Sequence, residues 1–151
     1  MSYRIPPAKI LVEAISEVIR EKQIVNSQRM LTELVHKALK KRDSDYTASE
    51  VRIRKAAVLK TPMKLQIRYR ETADTSTKGR CPVCGSETLQ IRNKTLFDEK
   101  VDIGFRCTKC PYWTGQLKQV PIRYIFNALI EEVPRPPRRK ANEKYSQWKF
   151  A

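Results

Sequence analysis

The chain has one histidine and four glycines among 151 residues, and nowhere a run of the roughly 18 apolar residues that a membrane-spanning helix needs. The last absence sets aside a membrane partner. The single histidine, His36, stands in no His-x-Glu or His-Glu-x-x-His pattern, so it reads as a surface or partly packed side chain on a helix rather than a metal ligand. The glycines form neither a phosphate-cradling loop nor a dinucleotide-binding turn, and no nucleophile elbow is present. With these devices missing, the expectation is a protein that is not an enzyme. Near the N-terminus, Pro6, Pro7, Glu13 and Glu17 replace the apolar centre of a secretory signal, which points to a cytoplasmic protein associated with the nucleoid or the ribosome.

Carboxylates are scarce too. Sixteen Asp and Glu face 31 Lys and Arg, a formal charge of +15. Self-repulsion on that scale is usually relieved by an acidic partner, and nucleic acid is the leading candidate. The excess is uneven: residues 1–45 carry +3, residues 46–80 carry +6, residues 81–120 carry +2 and residues 121–151 carry +4. The most basic stretch therefore lies just before the cysteines, with a second one at the C-terminal end.

All four cysteines sit in two pairs, CPVC at Cys81 and Cys84 and CTKC at Cys107 and Cys110. A two-residue gap lets both thiolates of a pair grip one tetrahedral ion from a single tight turn. Gly85 follows the first pair and permits the positive dihedral of such a turn, whereas Pro111 follows the second. Between the pairs, residues 88–93 and 101–106 alternate, with Leu89, Ile91, Val101, Ile103 and Phe105 on the apolar side and Asp98, Glu99 and Lys100 in the turn. Phe105 is assigned to the core. A third short strand is expected over 112–117. The segment resembles a zinc ribbon over residues 80–118, which implies a structural Zn2+ held by Cys81, Cys84, Cys107 and Cys110. Four thiolates close the tetrahedron and leave no position for a substrate or water; iron or an iron–sulfur cluster is the other ion four thiolates can hold.

Ahead of the cysteines the pattern is helical. Ile10, Leu11, Ala14, Ile15, Val18 and Ile19 recur at three- and four-residue steps over 7–22, and Leu31, Leu34, Val35, Ala38 and Leu39 do so in a second helix that Asn26 or Ser27 can cap. Thr47 through Glu50 has the capping-box pattern, opening a third helix that Thr61-Pro62 ends near Lys60. In residues 63–71, Leu65, Ile67 and Tyr69 alternate with Lys64, Gln66, Arg68 and Arg70, a strand with one apolar and one cationic face. Helix, short β piece, helix, basic helix and basic strand, in that order, resemble the winged-helix family of nucleic-acid-binding folds. No partner strand for a wing is visible in the sequence. The resemblance implies that the third helix enters a groove, with Arg52 and Lys55 at a three-residue step and Arg54 beside them, while Lys64, Arg68 and Arg70 contact phosphates.

The expected fold class is α+β, with a winged-helix-like domain over 1–72, a linker over 73–79, the ribbon over 80–118, a helix over 119–133 and a basic tail over 134–151. The helix rests on Ile122, Ile125, Phe126, Leu129 and Ile130 at helical spacing. The tail opens PRPPRRK, which disfavours helix, and its Arg138, Arg139 and Lys140 join the candidate nucleic-acid contacts. In order of parts, and not in matched residues, the whole is similar to archaeal transcription factor E and to the alpha subunit of the eukaryotic general factor IIE. The resemblance implies DNA binding in transcription. An RNA-binding ribosomal protein and an adaptor for RNA polymerase are the other classes this charge and ribbon allow.

Overall fold

The computed structural model describes residues 3–129, and the tail with Arg138, Arg139 and Lys140 lies outside them. Three helices come first: α1 (Ala8–Lys22), the two-residue strand β1 (Ile24–Val25), α2 (Gln28–Arg42) and α3 (Glu50–Lys60). They are followed by β2 (Met63–Thr75), β3 (Thr88–Lys94), β4 (Lys100–Cys107), β5 (Trp113–Thr114) and β6 (Leu117–Ala128). The strands make two antiparallel sheets, one ordered β1-β6-β2 and one ordered β3-β4-β5.

Apolar stripes on the helices do what their spacing demands. Leu11, Ala14, Ile15, Val18 and Ile19 of α1 are buried, as are Leu31, Val35 and Leu39 of α2 and Ile53 and Ala57 of α3. Ser27 caps α2, its hydroxyl accepting from the Met30 amide at 3.1 Å. The cap of α3 is Ser49, which accepts from the Arg52 amide at 3.3 Å, not the expected Thr47. His36 lies half-buried on α2, and its Nε2 meets the Ala48 carbonyl at 2.8 Å, pinning the loop before α3 to α2.

The expected helix over 119–133 is corrected by the structure: within the described residues this segment is the long strand β6. Its pairing with β2 runs from Met63 opposite Ala128 to Thr75 opposite Leu117, and β1 joins its far side at Val25 opposite Phe126. The helical appearance has a specific origin. The ladder slips between Arg68 and Tyr69, whose partners are Arg123 and Pro121, so Ile122 is an extra residue that breaks the alternation. Pro121 sits at that slip, where a missing amide donor costs least. From there Tyr124, Phe126 and Ala128 turn inward at period two.

Phe126 is fully buried and lies in one cluster with Leu11, Ile15, Leu31 and Ile53. The helices therefore close over a strand that arrives late in the chain. Residues 73–75, expected as linker, extend β2, and Ser76 continues the closure by donating its amide to the Gln116 carbonyl at 2.8 Å and its hydroxyl to Gly115. The cysteine segment is thus an insertion between two paired strands.

Replacing Phe126 with Ala removes a wholly enclosed ring from this cluster and is expected to cost about 3–5 kcal/mol. Denaturant titration followed by helical circular dichroism checks it. An unchanged midpoint for the helical signal would show that β6 is not part of the helical core.

Candidate metal centre

Cys81 and Cys84 lie before β3, Cys107 ends β4, and Cys110 lies in the turn before β5. All four are buried, and their sulfurs lie within 4.8 Å of one another. Sγ of Cys81 is 3.5 Å from that of Cys110, and Sγ of Cys84 is 3.4 Å from that of Cys107. A tetrahedron with metal–sulfur bonds of about 2.3 Å has edges of about 3.8 Å, so the four sulfurs are already close to the spacing that such an ion requires. The arrangement is consistent with a zinc ribbon, and its donor set fits a thiophilic ion.

Local backbone geometry places the thiols. Gly85 has φ 75°, and its amide donates to the Cys81 carbonyl at 2.9 Å, closing the first turn. Pro111 cannot supply the equivalent bond; the second turn is closed instead by the Cys107 amide donating to Tyr112 at 2.9 Å. Amides of Val83, Lys109 and Cys110 lie 3.4 Å from Cys81 or Cys107 sulfurs, so backbone donors already face the charge that thiolates would carry. Gly104 has φ 153° at the irregularity of the β3–β4 ladder, and a Cβ there would run into the Thr114 carbonyl of β5.

Protonation in the metal-free cluster follows from the same contacts. A hydrogen bond from Cys110 pulls the Cys81 thiol down to about 5, and Cys110, which keeps the shared proton, is pushed up. Burial pushes Cys107 up. Metal uptake must therefore displace protons, and affinity falls as pH falls. When bound, the ion supplies a cross-link between the two cysteine turns.

The ribbon's interior is small. Val83, Tyr112 and the four cysteines fill it, with Thr88 and Thr114 as its buried polar residues. Leu89, Val101 and Ile103, expected on an apolar inner face, are exposed, Phe105 is only half-buried, and Leu96 and Phe97 at the hairpin tip are open to solvent. Four convergent thiols positioned to bind a metal ion, rather than an apolar core, occupy the centre of this unit.

The cationic residues have distinct surroundings. Arg54 of α3 reaches the cysteine turn: its Nε donates to the Val83 carbonyl at 2.9 Å and its Nη2 to Pro82 at 3.4 Å. The same guanidinium donates to Gln28 Oε1 at 2.9 Å and lies over the Tyr124 ring at 5.1 Å. Arg52 donates to the Pro6 carbonyl at 2.8 Å. Lys55 is exposed and shares a shallow depression with Arg52, Ala8 and Leu59. Lys64, Arg68 and Arg70 are exposed on β2. A second clamp is Tyr69, whose hydroxyl, pushed up to about 12 by burial, donates to Pro111 at 3.3 Å while its ring meets Tyr112 and Trp113 at 5.9 and 6.4 Å. The sequence carries no signal for the Arg54 clamp, because Arg54 is 29 residues from Val83 of the first cysteine pair and belongs to no metal-binding motif.

No family model, no curated protein and no solved structure matches this chain. Among the described residues no helix is long and apolar enough to cross a membrane.

One metal ion per chain is expected by elemental analysis, lost in the Cys81→Ser/Cys110→Ser variant and progressively released as the solution is acidified. Arg54→Ala leaves the ligands intact and is expected to weaken metal binding about tenfold or more by loosening their support, as read in competition with a chromogenic chelator. Equal affinity would show that the clamp does not support the site.

Proposed function

We propose that the chain is a non-enzymatic, zinc-stabilised nucleic-acid-binding protein, DNA-binding in transcription, built as a winged-helix-like unit whose wing carries a zinc ribbon. The order helix, strand, helix, helix, strand, strand, with the last strand central in a β1-β6-β2 sheet, supports the winged-helix reading. It also supplies the wing partner that the sequence hides.

The observation that carries the reading is how the cations are paired. Arg4, Arg29 and Arg42 of the N-terminal segment and α2 have carboxylate partners at 2.8–3.4 Å, as do Arg92 and Lys94 of the hairpin. Among the described residues, the cations of α3 and β2 form no ion pair. Lys9, Arg20 and Lys22 of α1 and Lys37, Lys40 and Lys41 of α2 are unpaired as well, but α3 and β2 together carry seven Lys and Arg against only Glu50, Glu71 and Asp74, and a polyanion bound there would release its counterions. A structural Zn2+ at the cysteines holds the ribbon and takes no part in chemistry.

Exposed Leu96, Phe97 and Trp113 on the ribbon favour a second reading, in which that surface docks on a larger assembly such as RNA polymerase or the ribosome.

Titration of labelled duplex DNA, with duplex RNA of equal length as comparison, tests the proposal. Tighter binding to DNA is expected, with log affinity falling linearly against log salt, and Lys55→Gln should make that slope shallower by about 0.9. Absence of DNA binding at low salt by the zinc-loaded chain would defeat it, and preference for RNA would replace transcription with a ribonucleoprotein role.

A further inference from the structure

The face of the β1-β6-β2 sheet that points away from the helices is uncovered. Leu65 and Ile67 of β2 and Tyr124 and Phe126 of β6 pack inward, so alternation puts Lys64, Arg68 and Arg70 outward together with Arg123 and Lys118 of β6. From Lys64 to Thr72 no carboxylate shares this outward set. Arg68 and Arg123 are direct cross-strand partners. Like charges in that relation oppose strand pairing, and among the described residues neither has a carboxylate within salt-bridge distance. Arg123 is also held in place, its Nε donating to the Asn26 carbonyl at 2.8 Å.

Protection of a sheet edge explains cations on β2, which is an edge strand. Arg123 lies on the strand between β1 and β2, beyond the Phe126 and Asn127 positions that β1 pairs, and edge protection leaves unexplained why it stands directly opposite Arg68. An anion between the two guanidiniums reverses the sign of their interaction, and a phosphate diester matches the paired donors that each arginine offers. Ile125, two residues from Arg123 on the same face and opposite Gln66, adds half-buried apolar surface beside them without a competing charge.

We propose that Arg68 and Arg123, flanked by Arg70 and Lys64, form a phosphate-backbone site for nucleic acid on the sheet face opposite α3. The site rests on the nucleic-acid reading above but is separate from the helix surface, and it brings in Arg123, which no sequence signal marks. A chain with both surfaces contacts phosphates on two sides.

The zinc-loaded full chain and its Arg68→Gln/Arg123→Gln variant should be titrated with a labelled 30-base-pair duplex DNA at several salt concentrations. The variant is expected to lose about 1.8 from the log–log salt slope, equally for unrelated sequences. Its helical circular dichroism and a cooperative melt should match the parent's without DNA, which excludes misfolding as the cause of weaker binding. An unchanged slope and affinity in the variant, with the parent binding DNA, would overturn this site while leaving the broader reading intact. Failure of the parent itself to bind would remove both. Loss of binding to phosphatidylserine vesicles in the variant, with DNA binding intact, would overturn the proposal in favour of a lipid surface.

Discussion

The pairing of β2 with β6 is the constraint on which the rest depends. Thirteen residues of β2, a span of about 40 Å at strand rise, run against β6, and the inner face of that ladder supplies Leu65 and Phe126 to the helical core. The helices cannot finish burying their stripes until β6, which begins at Leu117 while α3 ends at Lys60, has returned. What lies between must then be compact enough to bring the two strands back together. Ser76, bonded to Gln116 and Gly115, closes the base of that insertion apart from the cysteine turns, which Tyr69 and Arg54 attach to the ladder and to α3.

This arrangement ties metal binding to the surface of α3. Arg54 donates simultaneously to the Val83 and Pro82 carbonyls, to Gln28 and toward the Tyr124 ring, so one side chain spans the cysteine turn, α2, α3 and β6. An empty, loosened cysteine turn would release one end of that bridge. Arg54 and Lys55 of α3 lie against the cysteine turn, whose bound form, four thiolates with one dication, would carry net negative charge. Their proximity offsets that charge without consuming it in ion pairs.

Much of this was legible in the sequence wherever one period dominated. The stripes of α1 and α2, the alternation of Leu65, Ile67 and Tyr69, the hairpin between the cysteine pairs and the ligand set itself all follow from spacing. Misreading began where two signals were superposed. In residues 121–130 the extra residue Ile122 and the outward Ile125 give apolar positions at helical steps, although Tyr124, Phe126 and Ala128 alternate. Burial by distant helices decided in favour of strand. Thr47 and Glu50 present a capping box, but the turn begins two residues later, where the Ser49 hydroxyl reaches the Arg52 amide. Leu89, Val101 and Ile103 alternate as a core face should and are exposed, because a unit centred on four thiols has nothing to pack over them. Arg123 was hidden for the same reason as β6: on a helix it has no fixed neighbour, and only the ladder sets it opposite Arg68.

β6 is a central strand whose pairing with β2 does not depend on an ion at the four cysteines. Amide hydrogen exchange, compared between the metal-loaded chain and the chain stripped by chelator, measures this directly. Protection across residues 123–128 should persist after stripping, while residues 88–107 become rapidly exchanging. Rapid exchange over 123–128 in the loaded chain, or loss of protection there together with the helices on metal removal, would contradict it.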